Sequence, residues 1–130
     1  MHSGIVLAKA DPRPIYLQII EQVRQRIALG DWPPGHPLPS IRELSAELRI
    51  SVITVKRAYL ELERDGVIAT RQGKGSVVAD TPALPDRLLE DQLREQLDRL
   101  ARQAVLMGLT ATELNDRIAG AIRRIEEDSE

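Results

Sequence analysis

The sequence contains no cysteine and no phenylalanine, and it has only two histidines, His2 and His36. Without cysteine, the chain has no disulfide bond, no thiolate zinc site and no thiol nucleophile. The two histidines lie in the N-terminal tail and in a loop rich in proline and glycine, too sparse for a metal site or a catalytic triad. We therefore expect no catalytic residues, no metal and no cofactor, and a protein that is not an enzyme.

Aromatic residues are also scarce, and they are Tyr16, Trp32 and Tyr59. Proteins that bind single-stranded nucleic acid usually stack bases on several aromatic side chains, and this chain offers few. We expect both tyrosines to pack in or beside the core rather than to serve as stacking platforms. Trp32 is expected to close one end of the core.

Long apolar runs are absent, since none approaches the about 20 residues that span a membrane, and no signal-peptide pattern opens the chain. We therefore expect a cytoplasmic protein. Its 130 residues, 42% hydrophobic and 29% charged, are ordinary for a globular domain with an appendage. Residues 1–80 carry 11 basic and 9 acidic side chains, whereas residues 81–130 carry 7 and 11. This asymmetry indicates two parts with different roles.

Three helices are predicted in the first part. Apolar residues spaced four apart predict a first helix between Pro14 and Gly30. A capping box from Ser40 to Glu43 opens a second helix over residues 40–48. After a short turn, a third helix begins at Ser51 and ends at Asp65.

A β-hairpin and a linker are predicted next. Val67–Arg71 and Ser76–Ala79 are rich in valine and threonine, and they flank a flexible, basic tip formed by Gln72–Gly75. The prolines Pro82 and Pro85 then indicate a linker.

Two amphipathic helices are predicted beyond the linker. Leucines recur at spacings of four and three from Leu89 onward, Gly108 can end the first helix, and Thr110–Glu113 form a second capping box. Residues 86–127 are thus predicted to form an antiparallel helical hairpin.

Three helices followed by a hairpin indicate a winged helix-turn-helix domain over residues 10–80. The predicted fold class is mainly α with a small β-hairpin wing, followed by the C-terminal helical hairpin. In such a domain the second helix of the central pair enters the major groove of DNA. The candidate DNA-binding residues are Arg42, Arg49, Ser51, Val52, Ile53, Thr54, Lys56, Arg57, Gly73, Lys74 and Gly75.

The spacing of several motifs carries a resemblance to a known family. The motifs are Pro14-Ile15-Tyr16-x-Gln18-Ile19, Leu38-Pro39-Ser40-x-Arg42-Glu43-Leu44, Thr54-Val55-x-Arg57-Ala58-Tyr59-x-x-Leu62-Glu63-x-x-Gly66 and Gly73-Lys74-Gly75. Over about residues 12–79 the chain resembles the GntR family of bacterial transcription regulators. The short two-helix tail is similar to the YtrA-like subfamily.

The resemblance implies a cytoplasmic, nucleoid-associated homodimeric repressor that binds a palindromic operator near its own operon. It also implies that Arg42, Ser51, Thr54 and Lys56 contact DNA together with the glycine-bearing wing tip. The chain has Arg49 where family members commonly place glycine in the turn, so a positive φ there would strain the backbone.

The start of the third helix departs from the family pattern in a second way, with Val52 and Ile53 where many relatives carry polar or basic residues. Base readout is therefore expected to use apolar contact with thymine methyl groups, with Lys56 or Arg57 on guanine.

The two C-terminal helices are too few to bury both of their apolar stripes, which favours a four-helix assembly with a second copy. The predicted dimerisation residues are Leu89, Leu93, Leu97, Leu100, Met107, Leu114, Ile118, Ile122 and Ile125.

Two further interpretations of the function remain open. One is a winged-helix protein-interaction module without specific DNA binding. The other adds a small-molecule effector, although a two-helix tail offers little room for an enclosed cavity.

Overall fold

A computed structural model describes residues 3–129, so His2 lies outside the described residues. The chain divides into two compact units, one ending at Glu90 and the other beginning at Asp91. We call these units the N-terminal unit and the C-terminal unit. The boundary falls inside a helix.

The described chain contains five α-helices and one two-stranded antiparallel sheet. The elements are α1 (Ile15–Ala28), α2 (Ile41–Leu48), α3 (Val52–Arg64), β1 (Ile68–Arg71), β2 (Gly75–Val78), α4 (Leu84–Leu106) and α5 (Ala111–Asp128). This order confirms the predicted mainly helical fold with a β-hairpin. Over residues 3–129, none of the helices combines the length and the apolar character that crossing a membrane would require.

Both predicted capping boxes are present. The Ser40 hydroxyl accepts a hydrogen bond from the Glu43 backbone N–H at 3.0 Å, and the Glu43 carboxylate accepts one from the Ser40 N–H at 3.2 Å. Thr110 and Glu113 form the same pair of bonds at 3.1 and 3.0 Å. Each box satisfies backbone N–H groups that have no partner inside the helix. The sequence pattern therefore located the start of α2 and of α5.

The core of the N-terminal unit lies between α1, α3 and the hairpin. Its largest fully buried side chains include Ile19, Ile27, Leu44, Leu62 and Val78. Trp32 is buried as part of this core, and its ring is stacked on that of His36. Tyr59 is buried and Tyr16 half-buried, and both pack in or beside the core.

The hairpin pairs Ile68 with Val78 and Arg71 with Gly75, within one residue of the predicted strands. The loop rich in proline and glycine that contains His36, between α1 and α2, also pairs with the hairpin. The Leu38 N–H donates to the Ser76 carbonyl at 2.9 Å, and the Val78 N–H donates to the His36 carbonyl at 2.8 Å. The loop thereby covers the outer edge of β2 and satisfies its backbone groups.

Residues 5–8 pack against the rest of the N-terminal unit, although their sequence shows no clear period. Ile5 is buried in the core, and the Val6 N–H donates to the Gln22 side chain at 2.8 Å. The Ala8 N–H donates to the Gln18 side chain at 3.1 Å. These side-chain amides replace the backbone pairing that a regular element would provide.

α4 begins earlier than predicted. The segment containing Pro82 and Pro85 was expected to be a linker, but the helix starts at Leu84 and holds Pro85 in its first turn. Proline is tolerated there because a first-turn N–H has no helical partner. Leu84 and Leu88 are fully buried in the core of the N-terminal unit. The domain limits 10–80 and 86–127 remain a prediction.

The C-terminal unit contains the rest of α4 and all of α5. Gly108, with φ of +73°, ends α4 as predicted, because the Leu109 N–H donates to the Ala104 carbonyl and the Gly108 N–H to the Val105 carbonyl. This is the Schellman arrangement that glycine permits. Ala104 is the one buried hydrophobic residue among residues 91–129.

Candidate nucleic-acid interface

The turn between α2 and α3 is held by a small buried side chain and a strained residue. Ser45 is buried, and its hydroxyl donates to the Ile50 carbonyl. Arg49 ends α2 with φ of 57° and ψ of 49°, so the backbone here has the positive φ that would strain a residue other than glycine. Among the described residues, no other non-glycine residue has a positive φ. An L-residue in this region costs about 1–2 kcal/mol relative to a helical conformation.

One face of α3 is left uncovered by the N-terminal unit. We call it the α3 face, and it consists of Val52, Ile53, Lys56, Arg57 and Leu60. With 100° per residue, these positions occupy an arc of about 140° opposite the buried side chains. Val52 is 46% and Ile53 is 77% exposed. Exposed apolar side chains grouped with lysine and arginine on one face of a helix indicate a candidate binding surface.

Ser51 and Thr54 lie at the edge of this face. The Ser51 hydroxyl caps α3 by accepting from the Ile53 N–H at 3.1 Å, while Thr54 is half-buried. Arg42 and Arg49 are exposed on α2 and in the turn that leads to α3. The structure therefore brings the predicted residues 42–57 onto two adjacent helices of one unit.

The two neighbouring cations of the α3 face differ in their surroundings. The side chain of Lys56 is exposed, and its ammonium group makes no hydrogen bond or ion pair with residues 3–129. Arg57 instead lies over the ring of Tyr16, with its guanidinium carbon 3.8 Å from the ring centroid. Its Nη2 also donates to the Tyr16 hydroxyl at 3.1 Å. Sequence reasoning missed this contact because 41 positions separate the two residues and no local pattern connects them.

The hairpin tip carries the predicted wing residues. Gly73 and Gly75 have φ of +80° and +69°, and Lys74 is exposed between them. Arg71 joins Lys74 in lining a polar cavity of about 200 Å³ that also contacts Gly35 and Asp80. Arg71 was not singled out from the sequence, although a basic residue beside a glycine-rich tip is a signal that could have found it.

Tyr59 and Glu43 connect α3 and α2 to the segment that precedes α2. The Tyr59 hydroxyl donates to the Pro39 carbonyl at 2.7 Å, and burial raises the pKa of this phenol. The hydrogen bonds from Ser40 lower the pKa of Glu43 below its usual value of 4.5. Both bonds attach the Leu38-Pro39-Ser40 segment to the helices that present the candidate interface.

The predicted dimerisation residues are largely exposed in the single chain. On α4, Leu93 is 51% and Leu97 is 48% exposed, and on α5, Ile122 and Ile125 are 50% and 67% exposed. Leu114 and Ile118 are half-buried and line an apolar groove of about 280 Å³ between the two helices. Arg117 and Gln103 are the two residues with polar side-chain groups among those lining it.

The arrangement of α1, α2, α3 and the β1–β2 hairpin defines the N-terminal unit as a winged helix-turn-helix domain. The family profile described as "Bacterial regulatory proteins, gntR family" matches residues 15–78. The chain is 36% identical over 118 residues to the HTH-type transcriptional repressor YtrA of Bacillus subtilis. The match covers 86% of this chain and 89% of that protein. The chain belongs to the GntR family.

Solved structures agree with this assignment. A GntR family transcriptional regulator from Listeria monocytogenes superposes with a TM-score of 0.75 at 26% identity, covering 88% of this chain and 96% of that one. The structure titled AraR(DBD) in complex with operator ORX1 superposes with a TM-score of 0.52 at 26% identity. It covers 61% of this chain and 99% of that chain.

Proposed function

We propose that the protein is a homodimeric transcriptional repressor that binds a palindromic DNA operator near its own operon. The observation that carries this proposal is the α3 face. It combines exposed apolar and cationic side chains at the start of the second helix of a helix-turn-helix pair. In this class of domain, that part of the helix meets base edges in the major groove.

The side chains of the α3 face suit a mixed readout of DNA. Val52 and Ile53 can contact thymine methyl groups, while Lys56, which has no partner in the described chain, can donate to the O6 and N7 acceptors of guanine. Arg42, Arg49 and the wing residue Lys74 are free to neutralise phosphates beside the groove. A net charge of −2 does not oppose this, because phosphate contacts depend on local charge.

The exposed apolar residues of α4 and α5 support assembly with a second copy. Within residues 91–129 Ala104 is the one buried hydrophobic residue, so the two helices do not protect their apolar stripes from water there. A second copy would supply the other two helices of a four-helix bundle, and a two-fold axis would match a palindromic operator. The half-sites would then lie about 34 Å apart, one turn of DNA.

Repression is inferred from the B. subtilis relative, whose name describes a transcriptional repressor. The operator-bound AraR domain supports double-stranded DNA as the partner, because the N-terminal unit has the same fold. We assign no effector, since the groove on α4 and α5 is open and apolar and is better explained as part of the dimer contact.

The proposal is tested by fluorescence anisotropy with DNA from upstream of the protein's own gene and with scrambled DNA, at about 50 and 200 mM salt. We expect specific binding with two protomers per site that persists at the higher salt. Lys56→Ala should weaken operator binding by about 1–3 kcal/mol. Lys9→Ala is the matched control, because it removes the same charge outside the predicted interface and should leave operator affinity unchanged.

Equal, weak binding to both DNAs would contradict an operator in that region. If a genome-wide selection of bound fragments also enriched no sequence, the DNA-binding proposal would fail. A winged-helix module whose partner is another protein would then be the better explanation.

A further inference from the structure

The contact with Tyr16 restricts the rotation of the Arg57 side chain but leaves the Arg57 guanidinium accessible to solvent. The side chain is 59% exposed even though one face of it lies against the tyrosine ring. Tyr16 is itself half-buried and packed against the core, so it forms a fixed platform on α1. A guanidinium stacked on an aromatic ring and bonded to its hydroxyl has already lost much of its side-chain freedom.

The hydrogen-bonding groups of Arg57 are partly occupied. Nη2 donates to the Tyr16 hydroxyl, and Nε lies 3.7 Å from a carboxylate oxygen of Glu61. Bidentate recognition of guanine uses two adjacent N–H groups of arginine at once. A contact with a phosphate oxygen needs only one N–H group and the positive charge. The bonding around Arg57 therefore favours phosphate over base.

The place of Arg57 on the α3 face leads to the same conclusion. Lys56 lies near the middle of the exposed arc, whereas Arg57 lies at its margin on the side of Tyr16 and α1. The centre of a helix in the major groove meets base edges, and its flanks meet the phosphates that border the groove.

From these observations we infer that Tyr16 is a positioning residue that holds Arg57 for a contact with a backbone phosphate of the operator. Lys56 is then the cation that reads a base, and α1 contributes to DNA binding through Tyr16 without touching a base. This inference rests on the proposed function and assigns different roles to two adjacent cations.

The test measures binding to operator and to scrambled DNA across a salt series for Arg57→Ala, Tyr16→Leu and the double variant. Arg57→Ala should weaken binding to operator and to scrambled DNA by the same factor, about tenfold. For two protomers, the slope of log affinity against log salt should fall by about 1.8. Lys56→Ala is the matched control, because it should weaken operator binding far more than scrambled binding.

Tyr16→Leu should weaken binding to both DNAs about threefold. Without the tyrosine, the Arg57 side chain is mobile in the free protein, so its loss of conformational entropy is added to the cost of binding. That loss should vanish in a background that already carries Arg57→Ala, an outcome that a merely structural role for Tyr16 would not produce. Tyr16→Phe keeps the ring and should show a smaller loss. It also serves as the second variant if Tyr16→Leu does not fold by circular dichroism.

Two outcomes would overturn the inference while leaving the proposed function intact. In the first, Arg57→Ala weakens only operator binding and leaves the salt slope unchanged, which would make Arg57 a base-reading residue. In the second, the losses from Tyr16→Leu and Arg57→Ala multiply in the double variant, which would show that the two side chains act independently. Failure of the parent protein to prefer operator DNA would instead contradict the proposed function.

Discussion

The N-terminal unit and the C-terminal unit use apolar residues in opposite ways. In the first, side chains such as Leu44 and Leu62 are fully buried, and the apolar residues left exposed include Val52 and Ile53 on the α3 face. In the second, Ala104 is buried while the leucines and isoleucines of both helices remain largely exposed within residues 91–129. The N-terminal unit therefore has a complete hydrophobic core of its own, whereas the apolar side chains of the C-terminal unit need a partner to cover them.

We expect the greatest effect on dimer stability from a charge placed on the apolar stripe of α4, which the proposed dimer would bury. Leu97→Asp should dissociate the dimer, because an unpaired carboxylate buried in an interface costs about 3–5 kcal/mol. Sedimentation equilibrium measures the change. Leu106→Asp is the matched control, since Leu106 is 88% exposed and lies nine positions along α4, on the opposite side of the helix. A parent that sediments as a monomer, or equal dissociation of both variants, would contradict the dimer proposal.

The next effect concerns the core of the N-terminal unit. Leu62→Ala should lower the free energy of unfolding by about 2–5 kcal/mol, because it leaves a cavity among fully buried side chains. Leu60→Ala removes the same atoms from the exposed α3 face and should change stability by less than about 0.5 kcal/mol. Chemical denaturation measures both. Similar losses in the two variants would show that Leu60 is covered and that the α3 face is not free for a ligand.

One turn of the N-terminal unit differs from the turn of the C-terminal unit in the residue that it places at positive φ. Glycine takes this position after α1, α3 and α4, as Gly30, Gly66 and Gly108, whereas Arg49 takes it after α2. Arg49→Gly should stabilise the N-terminal unit by about 1 kcal/mol, and Gly108→Ala should destabilise the C-terminal unit by a similar amount.

Arg49→Ala serves as the control for this pair, because it removes the charge and keeps the strained backbone. Thermal unfolding should show no gain for Arg49→Ala. If it stabilised the protein as much as Arg49→Gly, charge rather than backbone strain would explain the effect. Since Arg49 is also a predicted DNA-binding residue, both variants should bind DNA less tightly at low salt.

The smallest effect is one that the units should share. Hydrogen bonds from Ser40 and Thr110 lower the pKa values of Glu43 and Glu113 below their usual value of 4.5. Groups with a lowered pKa in the folded state stabilise it above pH 4.5, and that stabilisation is lost as the pH falls through the lowered value. Thermal unfolding between about pH 7 and pH 3 should therefore show lost stability on acidification.

A variant with Glu43→Gln and Glu113→Gln tests this assignment. Glutamine keeps an oxygen that can accept the capping hydrogen bond but does not titrate. We expect the double variant to lose less stability than the parent between neutral and acid pH. Identical losses would place the acid sensitivity in other carboxylates.

The sequence predicted most helix and strand limits to within one or two residues, because the groups that set them are close together in the chain. Ser40 and Glu43 are three positions apart, and Gly108 lies two positions after Leu106, the last residue of α4. The start of α4 was missed because Pro85 is compatible both with a linker and with the first turn of a helix. Burial of Leu84 and Leu88 decided between them.

The candidate site was predicted in part for the same reason. The exposed positions of α3 followed from the spacing of its buried residues, and the wing tip followed from its glycines. The pairing of Arg57 with Tyr16 and the packing of Ile5 could not be predicted, because each joins segments that no local pattern connects.

By itself, the sequence determined the helices, their caps and the winged helix-turn-helix order, since these depend on interactions between residues a few positions apart. Only the tertiary structure decided which exposed cation is held and which is free. That distinction depends on packing α1 against α3, which places the Tyr16 ring 3.8 Å from the Arg57 guanidinium. Stacking of a cation on a ring acts over a few ångströms in space, whatever the separation along the chain.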